Sequence, residues 1–161
     1  MADIFPSKKG SVTKDVIISI ELTYWLPLVI WEASSEDLIV LVHGFSTPSF
    51  VWNGILQDLL ETGNRVLSYD HYGRGFSDRP KESYNLKFYV DTLEELLDNL
   101  EETSDIHIVG YSMGGPISAM FSHQNKEKIK SLNLIAPAGY IPEPHWTMNC
   151  LLYTSDAADE G

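Results

Sequence analysis

Short apolar runs alternate with stretches whose apolar residues recur at helical spacing. The run Leu38–Val42 contains only Leu, Ile and Val, which is typical of a strand buried on both faces of a parallel sheet. Arg65–Tyr69, residues 106–109 and residues 129–136 are three further short segments rich in apolar residues. These four segments are the predicted strands of the core.

Between these runs lie three predicted helices. In residues 51–62 the apolar positions follow a 3.6-residue period, with Ser49 as the candidate N-cap and Gly63 as the residue that ends the helix. Residues 86–100 give the clearest helix, with an apolar stripe opposite a face of Asp and Glu. The stripe consists of Leu86, Tyr89, Val90, Leu93, Leu96, Leu97 and Leu100. Residues 113–124 are the third.

The chain before residue 38 is less regular. Residues 16–24 are rich in β-branched residues and predict an early strand. Residues 25–33 are also apolar, but Pro27 limits such a strand to an edge or a bend. Strands that alternate with helices predict an α/β fold, with a mostly parallel sheet and helices on both faces. Ligands of such sheets bind at the carboxyl ends of the strands.

One of these strand ends carries a nucleophile motif. Residues 110–114 read G-x-S-x-G between a predicted strand and a predicted helix, with Ser112 at the centre. A tight strand-to-helix turn exposes the serine hydroxyl, and Gly110 and Gly114 leave room beside it. The following helix directs its free N–H groups at the site. Ser112 is therefore the candidate catalytic nucleophile; the alternative is an incidental serine in a glycine-rich turn.

The loop after Leu38–Val42 contains the candidate oxyanion hole. Acyl transfer needs two backbone N–H donors aimed at the developing negative charge. Met113, directly after the nucleophile, supplies one, and Phe45 is placed to supply the other. Gly44 allows the sharp turn, and His43 is expected to brace the loop by hydrogen bonds. The alternative is an ordinary turn with a structural histidine.

Together these motifs resemble the α/β-hydrolase superfamily of esterases, lipases and carbon–carbon hydrolases. The resemblance covers roughly residues 38–139. It rests on His43-Gly44 followed by Trp52, on Tyr69-Asp70-x-x-Gly73-Arg74-Gly75-x-Ser77-Asp78, and on the run from Gly110 to Gly115. It implies a serine nucleophile rather than the aspartate of related dehalogenases and epoxide hydrolases. It also implies a structural role for Asp70, which is expected to bind nearby backbone, and likewise for Arg74 and Asp78.

The rest of a catalytic triad is not recognisable in this chain. The resemblance implies an acid after a later strand and a histidine after the last strand. His123 falls near the end of a helix and His145 at the entry to a cap, while His71 and His107 precede the nucleophile. The acids Glu127 and Glu143 follow no recognisable later strand. We therefore expect the core to be truncated before its last strands and most of its cap.

The domain boundaries follow from these assignments. Residues 1–37 form an N-terminal segment with early strands, residues 38–140 an incomplete hydrolase core, and residues 141–149 the start of a cap. Residues 150–160, CLLYTSDAADE, lack any amphipathic pattern. They resemble the translation of a transposase-type sequencing-library adapter, so 150–161 is predicted to be a non-native tail and is excluded from fold reasoning.

Composition limits the classes of partner that the chain is expected to bind. The chain has 161 residues and a net charge of −12, which argues against nucleic acid and against anionic membranes, because both attract cationic surfaces. No secretory leader and no apolar stretch long enough to span a bilayer are recognisable. The one cysteine, Cys150, permits no intramolecular disulfide. A cytoplasmic location is expected.

The sequence thus predicts a serine hydrolase that cleaves an ester or related carbonyl in a small-molecule substrate. No metal or organic cofactor is predicted, because no His/Cys cluster at ligand spacing and no phosphate-binding loop is recognisable. Two alternatives stay open. One is a non-catalytic binding protein on the same fold, since fold alone does not fix function. The other is a cofactor-free haloperoxidase or carbon–carbon hydrolase that uses the same triad.

Overall fold

The computed structural model describes residues 15–21, 24–31 and 37–139. In these ranges there are six strands and three α-helices. The strands are β1 (Asp15–Glu21), β2 (Trp25–Trp31), β3 (Leu38–Val42), β4 (Arg65–Tyr69), β5 (Ile106–Tyr111) and β6 (Ile129–Ile135). The helices are α1 (Leu56–Glu61), α2 (Leu86–Asn99) and α3 (Gly114–Gln124), and a 3₁₀ helix covers Ser49–Gly54.

All six strands belong to one sheet, in the order β1-β2-β4-β3-β5-β6. The pairs β4–β3, β3–β5 and β5–β6 are parallel, whereas β1 and β2 add an antiparallel hairpin at the β4 side. The predicted α/β class with a mostly parallel sheet is confirmed.

Helices cover both faces of the sheet, as predicted. The alternation of side chains along a strand sends Val40 and Val42 to the face covered by α2 and α3. Ile39 and Leu41 point to the other face, where the 3₁₀ helix and α1 pack through Trp52 among others. Every residue of β3 is buried, which explains its uninterrupted apolar run.

The helix predicted over residues 51–62 is divided in the structure. The 3₁₀ helix ends at Gly54, Ile55 has φ −117° and ψ −7°, and α1 begins at Leu56. Ser49 is not the N-cap; that residue is Pro48, and the Ser49 N–H donates to the Asp70 carboxylate at 2.7 Å. Helical apolar spacing does not distinguish one helix from two that bury the same face. Gly63 ends the segment with φ +83°, as expected.

The strand around Pro27 is not an edge strand. β2 lies between β1 and β4, but its pairing with β4 covers only residues 28–31, opposite residues 66–69. Pro27 therefore has a neighbouring strand on the β1 side alone, which is compatible with its missing N–H.

Two predictions fall outside the described residues: the cap entry at 141–149 and the tail at 150–161. Among the described residues, no helix combines the length and the apolar character needed to cross a membrane.

Candidate active site

Ser112 occupies a strained turn between β5 and α3. Its φ of +52° lies in the left-handed region, which costs a non-glycine residue free energy and recurs at functional sites. The end of β6 and the segment after it hold Ser112 there, because the Ser112 N–H donates to the Ile135 carbonyl at 3.1 Å and the Ala138 N–H donates to the Ser112 carbonyl at 2.8 Å.

The glycines predicted to support the turn lie at backbone contacts. A Cβ on Gly114 would stand 2.1 Å from the Val42 carbonyl oxygen, and one on Gly110 would stand 2.5 Å from the Gly114 carbonyl oxygen. Side chains at these positions would separate β3, β5 and α3. A Cβ on Gly44 would lie 3.0 Å from the Ser112 Cβ, so the loop after β3 passes directly beside the serine.

Each candidate oxyanion donor directly follows one of the two residues in this contact: Phe45 follows Gly44, and Met113 follows Ser112. Met113 is the N-cap of α3, and the first N–H groups of a helix have no acceptor within it. Phe45 follows Gly44 directly and is half-buried. The structure thus brings the Phe45 loop, Ser112 and the start of α3 together at the carboxyl ends of β3 and β5.

His43 stabilises this loop through hydrogen bonds of its ring. Its fully buried ring bonds through Nδ1 to the Gly44 carbonyl at 2.7 Å, and its Nε2 accepts from the His71 N–H at 2.9 Å. The His71 ring returns a bond from Nε2 to the His43 carbonyl at 3.1 Å. Burial lowers the pKa of His43, although the Gly44 carbonyl and Asp70 oppose that shift, and it lowers the pKa of His71 further. Both rings are therefore neutral at pH 7.

Asp70 has the backbone partners that the resemblance implies. Its Oδ1 accepts from the Ser49 N–H at 2.7 Å and its Oδ2 from the Phe76 N–H at 3.0 Å, while its carbonyl accepts from the Ser77 hydroxyl at 2.6 Å. In the same turn, the Arg74 guanidinium carbon lies 3.9 Å from the centre of the Phe45 ring.

The remaining histidines lie away from the serine. His107 stands near the start of β5, where its Nδ1 pairs with the Ser131 hydroxyl at 2.7 Å and its Nε2 lies 3.5 Å from Asp37. His123 is exposed in the last turn of α3, and His145 lies outside the described residues. In the described ranges, no group of three or more His, Cys, Asp and Glu is arranged to hold a metal ion.

A depression of about 510 Å³ opens between the first turns of α2 and α3. Its wall contacts the site directly, because it includes Met113 and also Ala138, which bonds to Ser112. The rest of the lining is mainly apolar and aromatic, from Tyr84, Leu86, Tyr89, Pro116 and Ile117. Sequence reasoning placed Leu86 and Tyr89 on the α2 stripe but gave no signal for Tyr84.

Comparison with known proteins agrees with this geometry. A family model for the alpha/beta hydrolase fold matches residues 37–155. The chain belongs to this family. An uncharacterized protein of Mycobacterium tuberculosis is 32% identical over 107 residues, which are 66% of this chain and 31% of the relative. A probable lysophospholipase of Arabidopsis thaliana is 31% identical over 109 residues, 66% of this chain and 26% of the relative.

The fold also matches solved structures. The crystal structure of a hydrolase from Pseudomonas aeruginosa superposes with a TM-score of 0.73 at 24% identity, over 87% of this chain and 52% of that one. The chain spans about a third or less of the length of the two curated relatives.

Proposed function

We propose that the protein containing this chain is a serine hydrolase that cleaves an ester or a related carbonyl compound. The observation that carries the proposal is Ser112 at φ +52° with the Gly44 backbone packed against its side chain. In the proposed reaction the Ser112 hydroxyl oxygen attacks the carbonyl carbon and loses its proton to a general base. The N–H groups of Phe45 and Met113 bind the oxygen that becomes negative.

The general base lies outside the described residues in this proposal. His43 has both ring nitrogens engaged with backbone groups, and His71 is fully buried beside it. His107 is five residues before the serine on β5, roughly 16 Å away at strand spacing. A histidine and an acid outside the described residues are therefore required. No recognisable later strand precedes Glu143 or His145 in the sequence, so the 161-residue chain is expected to be inactive by itself.

The depression beside Met113 supports a substrate with an apolar acyl or ring portion. Its volume falls in the range of small-molecule sites, which are concave and mostly apolar. Its lining combines the aromatic Tyr84 and Tyr89 with the aliphatic Pro116 and Ile117. We expect p-nitrophenyl esters of medium-length fatty acids to be cleaved faster than the acetate.

A fluorophosphonate probe tests the assignment of the nucleophile. Such probes form a covalent bond with an activated serine, so the whole protein is expected to be labelled on Ser112, as identified by peptide mass spectrometry. Ser112→Ala is expected to remove both labelling and esterase activity, whereas Ser104→Ala, at an exposed position before β5, is expected to keep both.

Each alternative outcome has a clear meaning. A whole protein that carries no label and cleaves no ester would overturn the proposal in favour of a non-catalytic binding protein on this fold. Label on another serine would overturn the role of Ser112. Labelling of Ser112 without esterase activity would overturn the ester substrate and favour a haloperoxidase or carbon–carbon hydrolase.

A further inference from the structure

One buried carboxylate connects the turn after β4 with the segment after β3, whose Gly44 packs beside Ser112. Asp70 is 4% exposed, and each of its carboxylate oxygens accepts a backbone N–H from a different segment. The Ser49 donor begins the 3₁₀ helix that directly follows the Phe45 loop, and the Phe76 donor belongs to the turn after β4. The carboxylate therefore fixes the segment after β3 against the turn after β4.

The same turn holds the Phe45 loop at two further points. Arg74 covers the Phe45 ring at 3.9 Å, and the His71 N–H donates to the ring of His43, two residues before Phe45. Residues 70–76 therefore contact the chain at His43, before Phe45, at Ser49, after Phe45, and at the Phe45 ring itself.

The carboxylate has little freedom to move. A Cβ on Gly75, where φ is +50°, would stand 1.9 Å from the Asp70 Oδ2, so the turn backbone lies directly against the oxygen. Charged acceptors form shorter and stronger hydrogen bonds than neutral ones. A neutral amide in this position would have one oxygen for two N–H donors, and one donor would lose its partner.

We propose that Asp70 is a positioning residue that sets the Phe45 N–H at its place in the oxyanion hole. This inference rests on the proposed function. An oxyanion donor acts only within about 2.7–3.1 Å of the developing charge, so a small displacement of the loop weakens it. Asp70 acts on the reaction through the loop and does not itself touch the substrate.

Two changes to the same contact test the inference in the whole protein. Asp70→Asn removes the charge and one acceptor. Ser49→Pro removes the N–H that Asp70 Oδ1 accepts; Ser49 is the first residue of a helix, where proline is tolerated. Ser49→Ala keeps that N–H, and Asp58→Asn removes a charge from an exposed position of α1; both serve as controls.

The expected result is a selective loss of kcat. Asp70→Asn is expected to lower kcat for a p-nitrophenyl ester about a hundredfold, with KM within about threefold of wild type. Ser49→Pro is expected to follow in the same direction, by about tenfold. Affinity for a trifluoromethyl ketone, which places a negative oxygen in the hole, is expected to fall with kcat because both report the transition state.

A purely structural role for Asp70 predicts a different pattern. The two variants would then melt at lower temperature, while the folded fraction kept the wild-type kcat and ketone affinity, and the inference would be overturned. It would also be overturned if Ser49→Ala lost as much kcat as Ser49→Pro. These outcomes leave the proposed function intact, because Ser112→Ala tests that function separately.

Discussion

Gly114 shows how the absence of a single side-chain atom positions the proposed nucleophile. Its Cβ position is 2.1 Å from the Val42 carbonyl oxygen and 2.7 Å from the His43 carbonyl oxygen, and backbone oxygens cannot swing aside as the tips of long side chains do. The close approach allows α3 to begin directly at the carboxyl end of β3, where the Phe45 loop starts. The glycine of the motif is thus required by packing between elements.

Gly114→Ala is accordingly expected to destabilise the fold. Overpacking of a close contact costs about 1–3 kcal/mol, and the two carbonyl contacts put this variant at the upper end. Gly54→Ala is the matched control, because its Cβ would meet nothing within 4 Å and its effect should stay within about 0.5 kcal/mol. Urea unfolding of both variants in the whole protein measures the difference, and equal unfolding free energies would contradict it.

The buried histidines predict a dependence of stability on pH. Burial holds the pKa of His71 well below 6.5 in the folded state and also lowers that of His43. The unfolded chain binds protons near pH 6.5 while the folded one does not, so the free energy of unfolding falls as pH drops below about 6.5. Each such group contributes a slope of up to about 1.4 kcal/mol per pH unit.

His71→Gln isolates this contribution. The glutamine amide can donate to the His43 carbonyl as the ring does, but it does not titrate. Between pH 6.5 and 5.5 the unfolding free energy of the variant is expected to fall less steeply than that of wild type, by about 1.4 kcal/mol per unit at most. Identical slopes, measured by urea unfolding at each pH, would mean that His71 binds a proton in the folded state.

At the scale of elements, local patterns predicted most of the fold. Five apolar residues in succession predicted β3, and its complete burial follows from helices on both faces. The division of the helix at Ile55 escaped prediction because the apolar residues of both segments bury the same face, so their spacing does not reveal the break. The interior position of β2 escaped prediction because a proline excludes strand pairing only on the side where its N–H is missing. The pairing of β2 with β4 begins at Leu28, after Pro27.

The same distinction applies to the site. The Ser112 turn could be predicted because its serine and glycine pattern lies within five consecutive residues. The contact of Asp70 with Ser49, the cover of Arg74 on Phe45 and the wall formed by Tyr84 could not, since each joins segments that only the folded chain brings together. Residue spacing along a sequence indicates local geometry but does not show which distant loops will be in contact.

β6 predicts how the isolated chain behaves. In the described residues it pairs only with β5, and Leu132, Leu134 and Ile135 are 40–45% exposed. An uncovered apolar edge is a template for association. The 161-residue chain is therefore expected to self-associate at micromolar concentration.

A charge on this edge should suppress the association. Leu134→Lys is expected to shift the chain towards the monomer in sedimentation velocity runs, because lysine on an edge opposes strand pairing. Ile55→Lys is the matched control, since Ile55 is 40% exposed but lies away from the edge. A wild-type chain that sediments as a monomer and unfolds cooperatively would contradict the expectation.

At the scale of the whole molecule, the described residues include only some of the groups that the proposed reaction needs. The proposed nucleophile and both proposed oxyanion donors lie at the carboxyl ends of β3 and β5, and no described residue is proposed as the base or the acid. The chain spans about a third or less of the curated relatives described above. The serine-hydrolase proposal therefore concerns the whole protein, and the sequence after residue 149 decides it.

Sequencing the transcript across Asn149 and Cys150, from a library prepared without the transposase adapter, tests that sequence. The family match runs to residue 155, so it includes the boundary between Asn149 and Cys150. An adapter-derived tail and a native tail predict different sequences after that boundary. We expect the reading frame to continue after Asn149 into further strand patterns, with an acid and then a histidine. If CLLYTSDAADE and a stop codon reappear, the tail is native, no general base follows Ser112 in the predicted order, and a non-catalytic role replaces the hydrolase proposal.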